Sequence, residues 1–217
     1  MRPRHLETER LLLRPLVRGD IDDILRMHLD PEVQRYSHIS SQTLPKSLKR
    51  NSLRKELQKQ IVEQSLGTTF WAIEWNTRSG LLGQISLGMN NLRTNLSFLL
   101  LRENWGQGIA TEAAQAVCAH AFLAQKLPEI SALSHKDNRP SHRVLEKLGM
   151  KPDGIGIAAT RQRSVLEMSK SPPSGSLLNI NSTSGNLYVS YKLERLTYLA
   201  LRTQSRDSEN APSGTQT

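Results

Sequence analysis

The segment Trp105-Gly106-Gln107-Gly108-Ile109-Ala110-Thr111-Glu112-Ala113 holds the residue types best suited to gripping an anion. Two glycines at alternate positions let the backbone turn tightly and come close to a ligand. The chain beyond the glycines reads as a helix from about Ala110 to Gln125, with Ala110, Ala113, Ala114, Val117, Ala121 and Ala124 on one face. The first amides of a helix have no intrahelical partner and the helix dipole is positive there, so a glycine turn opening this helix suits a phosphate. A Walker loop is excluded, because no Lys-Ser or Lys-Thr comes after the glycines. A dinucleotide fingerprint is incomplete, because the third glycine is missing. Taken alone, the segment is also compatible with a plain glycine-rich turn into a buried helix.

A second stretch lies some thirty residues later, Asp137-Asn138-Arg139-Pro140-Ser141-His142-Arg143-Val144-Leu145-Glu146-Lys147-Leu148-Gly149-Met150. Together with Glu7-Thr8-Glu9-Arg10-Leu11-Leu12-Leu13-Arg14-Pro15-Leu16, with Asp30-Pro31-Glu32-Val33 and with the glycine loop, it closely resembles the GNAT superfamily of N-acyltransferases. Within that superfamily the match is to the RimJ/RimL-type branch, and it covers roughly Leu6 to Gly154.

The resemblance implies a fold in which two central strands splay apart, here those ending near Leu100 and starting near Glu129, with the pantetheine arm of acetyl-CoA in the notch. It implies that backbone amides of Gln107, Gly108, Ile109, Ala110 and Thr111 hold the pyrophosphate, the anion site that the glycine turn suggests independently. Asn138 would bond the pantetheine arm, and Ser141, one turn on, could protonate the leaving thiolate, unless it is simply a helix-start hydroxyl. The tyrosine acid of other branches falls at Leu145, which closes that route. In the third strand, where relatives often carry a carboxylate, the chain reads Asn95-Leu96-Ser97-Phe98, so no obvious general base remains.

That lack bears on the acceptor. Neutralising an α-amine at pH 7 costs roughly 1 kcal/mol, whereas a lysine side chain costs about 4 to 5 kcal/mol. A weak or water-relayed base therefore favours the α-amine of a peptide or protein N-terminus, of the ribosomal-protein type. Of the nearest acids, Glu103 has no assigned role and Glu112 is expected to cap its own helix. Two other readings stand beside this one: an acetyltransferase of a small amine, and a non-catalytic protein that keeps a CoA site or only a basic surface.

The elements that must position these residues alternate in kind. Arg10 to Leu16 reads as a strand, and Asp20 as the cap of a helix carrying Ile21, Ile24, Leu25 and His28 on one side. Phe70 to Trp75 and Leu81 to Met89 form a hairpin, and a third strand lies near Leu96 to Leu101. Strand Ile130 to Ser134 and helix Pro140 to Leu148 complete the series. The fold class expected is α+β (mixed α/β): a central, mostly antiparallel mixed sheet flanked by helices and splayed between two central strands. Trp71, Trp75, Phe70 and Phe98 fit core packing better than a platform for stacked bases.

Twenty-nine Lys and Arg against twenty Asp and Glu give a net charge of +9, favouring anionic partners. Arg35 to Gln60 concentrates seven of the cations against the lone acid Glu56, and Leu53, Leu57 and Ile61 recur every fourth position, so an amphipathic helix with a basic outer face is expected, which by itself reads as a solvated helix face. The resemblance sets this helix, residues 46–59, on the acceptor side of the groove, where an acidic protein or ribosomal RNA could dock, although no RNA-reading motif is present. His135 and His142 lack metal-ligand spacing, so no metal is expected, and His135 reads by default as a solvated loop residue, with contact to acceptor or cofactor as the alternative. The single cysteine, Cys118, excludes an intrachain disulfide, and no stretch approaches a membrane span, which together point to a soluble, cytoplasmic protein. Residues 1–168 are expected to form the acetyltransferase domain, closed weakly by strands at Ile155–Ala159 and Val165–Met168. Residues 169–217 read as a low-complexity tail with a possible strand at 187–193, an alternative closing strand, and a disordered last sixteen residues.

Overall fold

The computed structural model describes residues 5–36, 46–62, 68–90, 93–157 and 187–209. Eight strands are present: β1 (Leu6–Glu7), β2 (Leu11–Pro15), β3 (Thr68–Trp75), β4 (Arg78–Asn90), β5 (Arg93–Leu100), β6 (Glu129–His135), β7 (Lys151–Ile157) and β8 (Leu187–Glu194). The helices are α1 (Ile21–Leu29), α2 (Pro31–Gln34), α3 (Lys46–Val62), α4 (Ile109–Ala119), α5 (Arg139–Lys147) and α6 (Arg195–Glu209). The strands form one mixed sheet in the order β1-β2-β3-β4-β5-β6-β8-β7, antiparallel throughout except where β5 meets β6.

Alternation along the strands sends side chains to two separate cores. Trp71 and Ile73 face α4 while Ala72, between them, faces α1. Beneath α4 the sheet is met by Ala113, Ala114, Val117, Cys118 and Ala121, small side chains that let the helix backbone come close. Trp71 is fully buried there, and Phe98 packs against the same cluster, which satisfies the core reading of the aromatics. On the opposite face Ile21, Ile24, Leu25 and Met27 of α1 pack with Leu57 of α3, and Leu53 and Ile61 lie against the same cluster. The fourth-position leucine stripe thus becomes the buried face of a helix. The basic face is partly neutralised, since Arg50 and Arg54 both reach Asp22 of α1.

Several local expectations change. Asp20 stands at the start of α1 but makes no side-chain bond to that helix. Its carboxylate, buried at 6% exposure, accepts from both Arg14 Nη atoms at 2.8 and 2.7 Å and from the Val17 amide at 2.8 Å. A buried carboxylate needs a cation more than it needs a helix amide, and Arg14, which also holds Glu74 at 2.7 Å, supplies it. The long helix reads through only to Ala119, and residues 120–124 widen into a π turn whose Phe122 carbonyl accepts from Arg195 Nε at 3.0 Å.

The possible strand at 187–193 is present as β8 and is an interior strand, between β6 and β7. Its Tyr188, Tyr191 and Leu193 are buried. Helix α6 then runs to Glu209, so residues 202–209 are helical where composition suggested disorder; Tyr198 stacks on Phe122 at 4.9 Å and gives α6 a place to dock. The strand candidate at Val165–Met168, the low-complexity stretch at 169–186 and residues 210–217 lie outside the described residues.

Candidate active site

Strands β5 and β6 run parallel and are aligned at Asn95↔Ser131, near the start of each. Toward their carboxyl ends no further register pair joins them among the described residues, and helices α4 and α5 begin just beyond those ends. Two helix N-termini therefore flank the opening where the sheet parts, the usual place for a ligand in a sheet with parallel central strands.

The loop into α4 is fastened at both ends. Trp105 Nε1 donates to the Leu100 carbonyl at 3.1 Å, Asn104 Nδ2 to the Leu82 carbonyl at 3.1 Å, and Gln107 Nε2 to the Glu103 carbonyl at 3.1 Å. Gly106 and Gly108 have φ of 76° and 78°, in the left-handed region that disfavours any side chain. Gly108 is the N-cap, and no side chain caps the helix. Its first-turn amides are thus left for an outside acceptor, so the residues here fit a diphosphate.

At the end of β6 the turn into α5 is also tightly drawn. Asn138 caps α5 itself: its Oδ1 accepts from the Ser141 amide at 3.2 Å, and its NH2 group is left to donate to a ligand. His142 Nε2 lies 3.0 Å from the His135 carbonyl, which fixes the proton on that nitrogen and ties the helix to the strand end. Ser141 sits half-buried in the first turn of α5. Leu145, at the position of the absent tyrosine, is core.

Two expectations fail here for reasons of tertiary contact. Glu112 does not cap α4. Its carboxylate turns to the N-terminal segment, accepting from Thr8 Oγ1 at 2.6 Å, the Arg10 amide at 3.0 Å and Arg10 Nε at 2.7 Å. Desolvation works against ionisation, yet these hydrogen bonds outweigh it and hold the carboxyl below its ordinary pKa. Nor is His135 a solvated loop residue. It ends β6 with 13% of its side chain exposed, its ring 5.5 Å from Tyr36 and edge-on to Tyr188 at 5.3 Å. Its Nδ1 accepts from the Asp137 amide at 3.2 Å, so the neutral ring carries its proton on Nε2.

Glu103 is held by Arg26 at 3.0 Å. On β5 the residues Asn95 and Ser97 share a face with Gln84 and Ser86 of β4, by the pairings Gly88↔Asn95, Ser86↔Ser97 and Gln84↔Leu99. Gln84 meets His28 of α1, Nε2 to Nε2, at 3.2 Å, and burial pushes His28 down to about 4, so it is neutral near pH 7. Local sequence pattern assigns Thr8, Arg10 and His28 no role at the site. The Glu-Thr-Glu-Arg motif was the available signal for the first two. Among the described residues no group of three or more His, Cys, Asp or Glu side chains is arranged to hold a metal, and no helix is long and apolar enough to cross a membrane.

A mixed sheet parted between two parallel strands, with an uncapped glycine-started helix at the opening, makes a cleft with an anion site at its mouth. Residues 10–151 match the acetyltransferase (GNAT) domain, and the chain belongs to that family of N-acetyltransferases, whose acyl donor is acetyl-CoA. Over 153 residues it is 28% identical to the uncharacterised N-acetyltransferase YoaA of Bacillus subtilis, covering 69% of this chain and 84% of that one. Its fold is like that of a GNAT-family acetyltransferase from Bacillus anthracis, with a TM-score of 0.66 at 20% identity over 89% of this chain and 99% of that one. It is also like RimL, a ribosomal L7/L12 α-N-protein acetyltransferase solved with coenzyme A, with a TM-score of 0.64 at 14% identity over 88% and 98% of the two chains.

Proposed function

We propose that this chain is a cytoplasmic N-terminal acetyltransferase of the RimJ/RimL type, transferring acetyl from acetyl-CoA to the α-amine of a peptide or protein, ribosomal proteins included. The observation that carries the acceptor class is the engagement of both acids near the loop: Glu103 is held by Arg26, and Glu112 by Thr8 and Arg10. With Asn95 and Ser97 where a base would stand, the site favours an amine that loses its proton to water at small cost.

In this reading the amides of Gly108, Ile109, Ala110 and Thr111, with Gln107 leading into them, hold the diphosphate, and the Asn138 NH2 group orients the pantetheine arm. The acceptor nitrogen attacks the thioester carbonyl and sheds its proton to solvent. As the carbon–sulfur bond breaks, the Ser141 hydroxyl gives its proton to the sulfur and regains one from solvent, so the products are the acetylated amine and free CoA. Helix α3 supplies a basic surface on the face of the sheet that carries α1, which suits an acidic protein acceptor.

Mass spectrometry of a peptide bearing both a free N-terminus and an internal lysine, incubated with acetyl-CoA, tests the reading. Acetyl on the α-amine is the expected product, and faster modification of lysine or of a small polyamine would defeat it.

A further inference from the structure

Resting on that reading of the donor site, we propose that Arg10 is a positioning residue for the donor's diphosphate and acts by setting the direction of one amide in the glycine loop. Arg10 lies on the short link between β1 and β2, outside the loop. Its Nη2 lies 2.7 Å from Glu112 Oε2 and donates to the Gln107 carbonyl at 3.2 Å. Glu112 in turn is pinned by Thr8 Oγ1 and the Arg10 amide, and Thr8 Oγ1 accepts from the Leu11 amide at 2.9 Å, so the N-terminal segment and the first turn of α4 form one hydrogen-bonded block.

Peptide planarity gives this contact its consequence. The Gln107 carbonyl and the Gly108 N–H belong to one trans peptide unit and point in opposite directions. Drawing the carbonyl toward Arg10 therefore turns the Gly108 N–H away from it, outward from the helix start, where an anion would sit. Gly108, with φ of 78° and no side chain, does not by itself dictate the orientation of this plane, so the contact with Arg10 helps to set it. The guanidinium is suited to the task, since its rigid fork can hold a carboxylate and a carbonyl at once, which a lysine ammonium does less well.

The test compares two donors, acetyl-CoA and acetyl-pantetheine, the second having the same thioester and no phosphate. For Arg10→Ala the expected result is a KM for acetyl-CoA, and a calorimetric Kd for CoA, raised roughly tenfold or more, the worth of a charge-assisted hydrogen bond. The KM for acetyl-pantetheine and kcat at saturating acetyl-CoA should stay within about twofold of the parent chain, since neither depends on holding the diphosphate. Arg10→Lys should recover only part of the loss. Glu112→Gln should show the same selective loss in smaller degree, and it serves as the probe if Arg10→Ala does not fold. Equal losses on both donors, no loss on CoA, or full recovery by lysine would overturn the proposal. A parent chain that binds no CoA would overturn the function reading itself, a different result from a parent that binds and variants that do not differ.

Discussion

Asn95 of β5 and Ser131 of β6 form the register pair at which the two halves of the sheet join, and the Ser131 hydroxyl donates to the Thr94 carbonyl at 2.9 Å. The bond closes the sheet at one end of the pair and leaves the other end to open. Both helices that border the opening start beyond the carboxyl ends of these strands, so this junction decides where the donor and acceptor can meet.

Gly108→Ala tests the amide cradle. A side chain at φ of 78° costs about 1 to 2 kcal/mol. That should lower Tm by roughly 2 to 8 °C in a chain of this size. The new Cβ would sit 3.4 Å from Arg10 Nη2, an ordinary contact, so the strain falls on the backbone at φ of 78°, whose relief would re-aim the loop amides, and the Kd for CoA should rise by roughly tenfold. A lower Tm with unchanged CoA affinity would take the diphosphate away from this loop.

Ser141→Ala separates an acid from a helix-start hydroxyl. The Asn138 cap uses the Ser141 amide and not its hydroxyl, so the variant should fold with nearly parental Tm. Loss of a general acid should lower kcat by about a hundredfold with little change in the KM for acetyl-CoA. Unaltered kcat would return Ser141 to a structural part.

His28 should make stability depend on acidity. Burial pushes its pKa down to about 4, against about 6.5 when unfolded, so the unfolded chain binds more protons between those values. The contribution is fully present above pH 6.5 and is lost as the pH falls toward 4, a total of about 3 kcal/mol. Urea unfolding at pH 7, 5.5 and 4.5 should show that decline, and His28→Gln should flatten it. An equally steep decline in the variant would assign the dependence to other groups.

Ending the chain at residue 186 should abolish cooperative melting. Strand β8 lies between β6 and β7, and its loss removes the buried Tyr188, Tyr191 and Leu193 from the core, each worth about 1.5 to 3 kcal/mol of burial. The sum approaches the whole stability of a typical domain, about 5 to 15 kcal/mol. A truncated chain that melts cooperatively would make β8 dispensable.

Much of this architecture was legible in local pattern. The Gly106–Gly108 turn, the small-residue face of α4, the alternation in β2 to β6 and the Leu53, Leu57, Ile61 stripe each depend on which residues lie a few positions apart, and that spacing dictates which face is buried. Three features were decided only by the tertiary structure. Glu112 took Arg10 and Thr8 in place of its own helix amides, His135 became a packed ring between Tyr36 and Tyr188, and a strand from serine-rich surroundings entered the sheet between β6 and β7. Each joins segments far apart in the chain. Local periodicity is silent about such partners, because the free energy that selects them comes from burying and pairing groups that meet only once the sheet has formed.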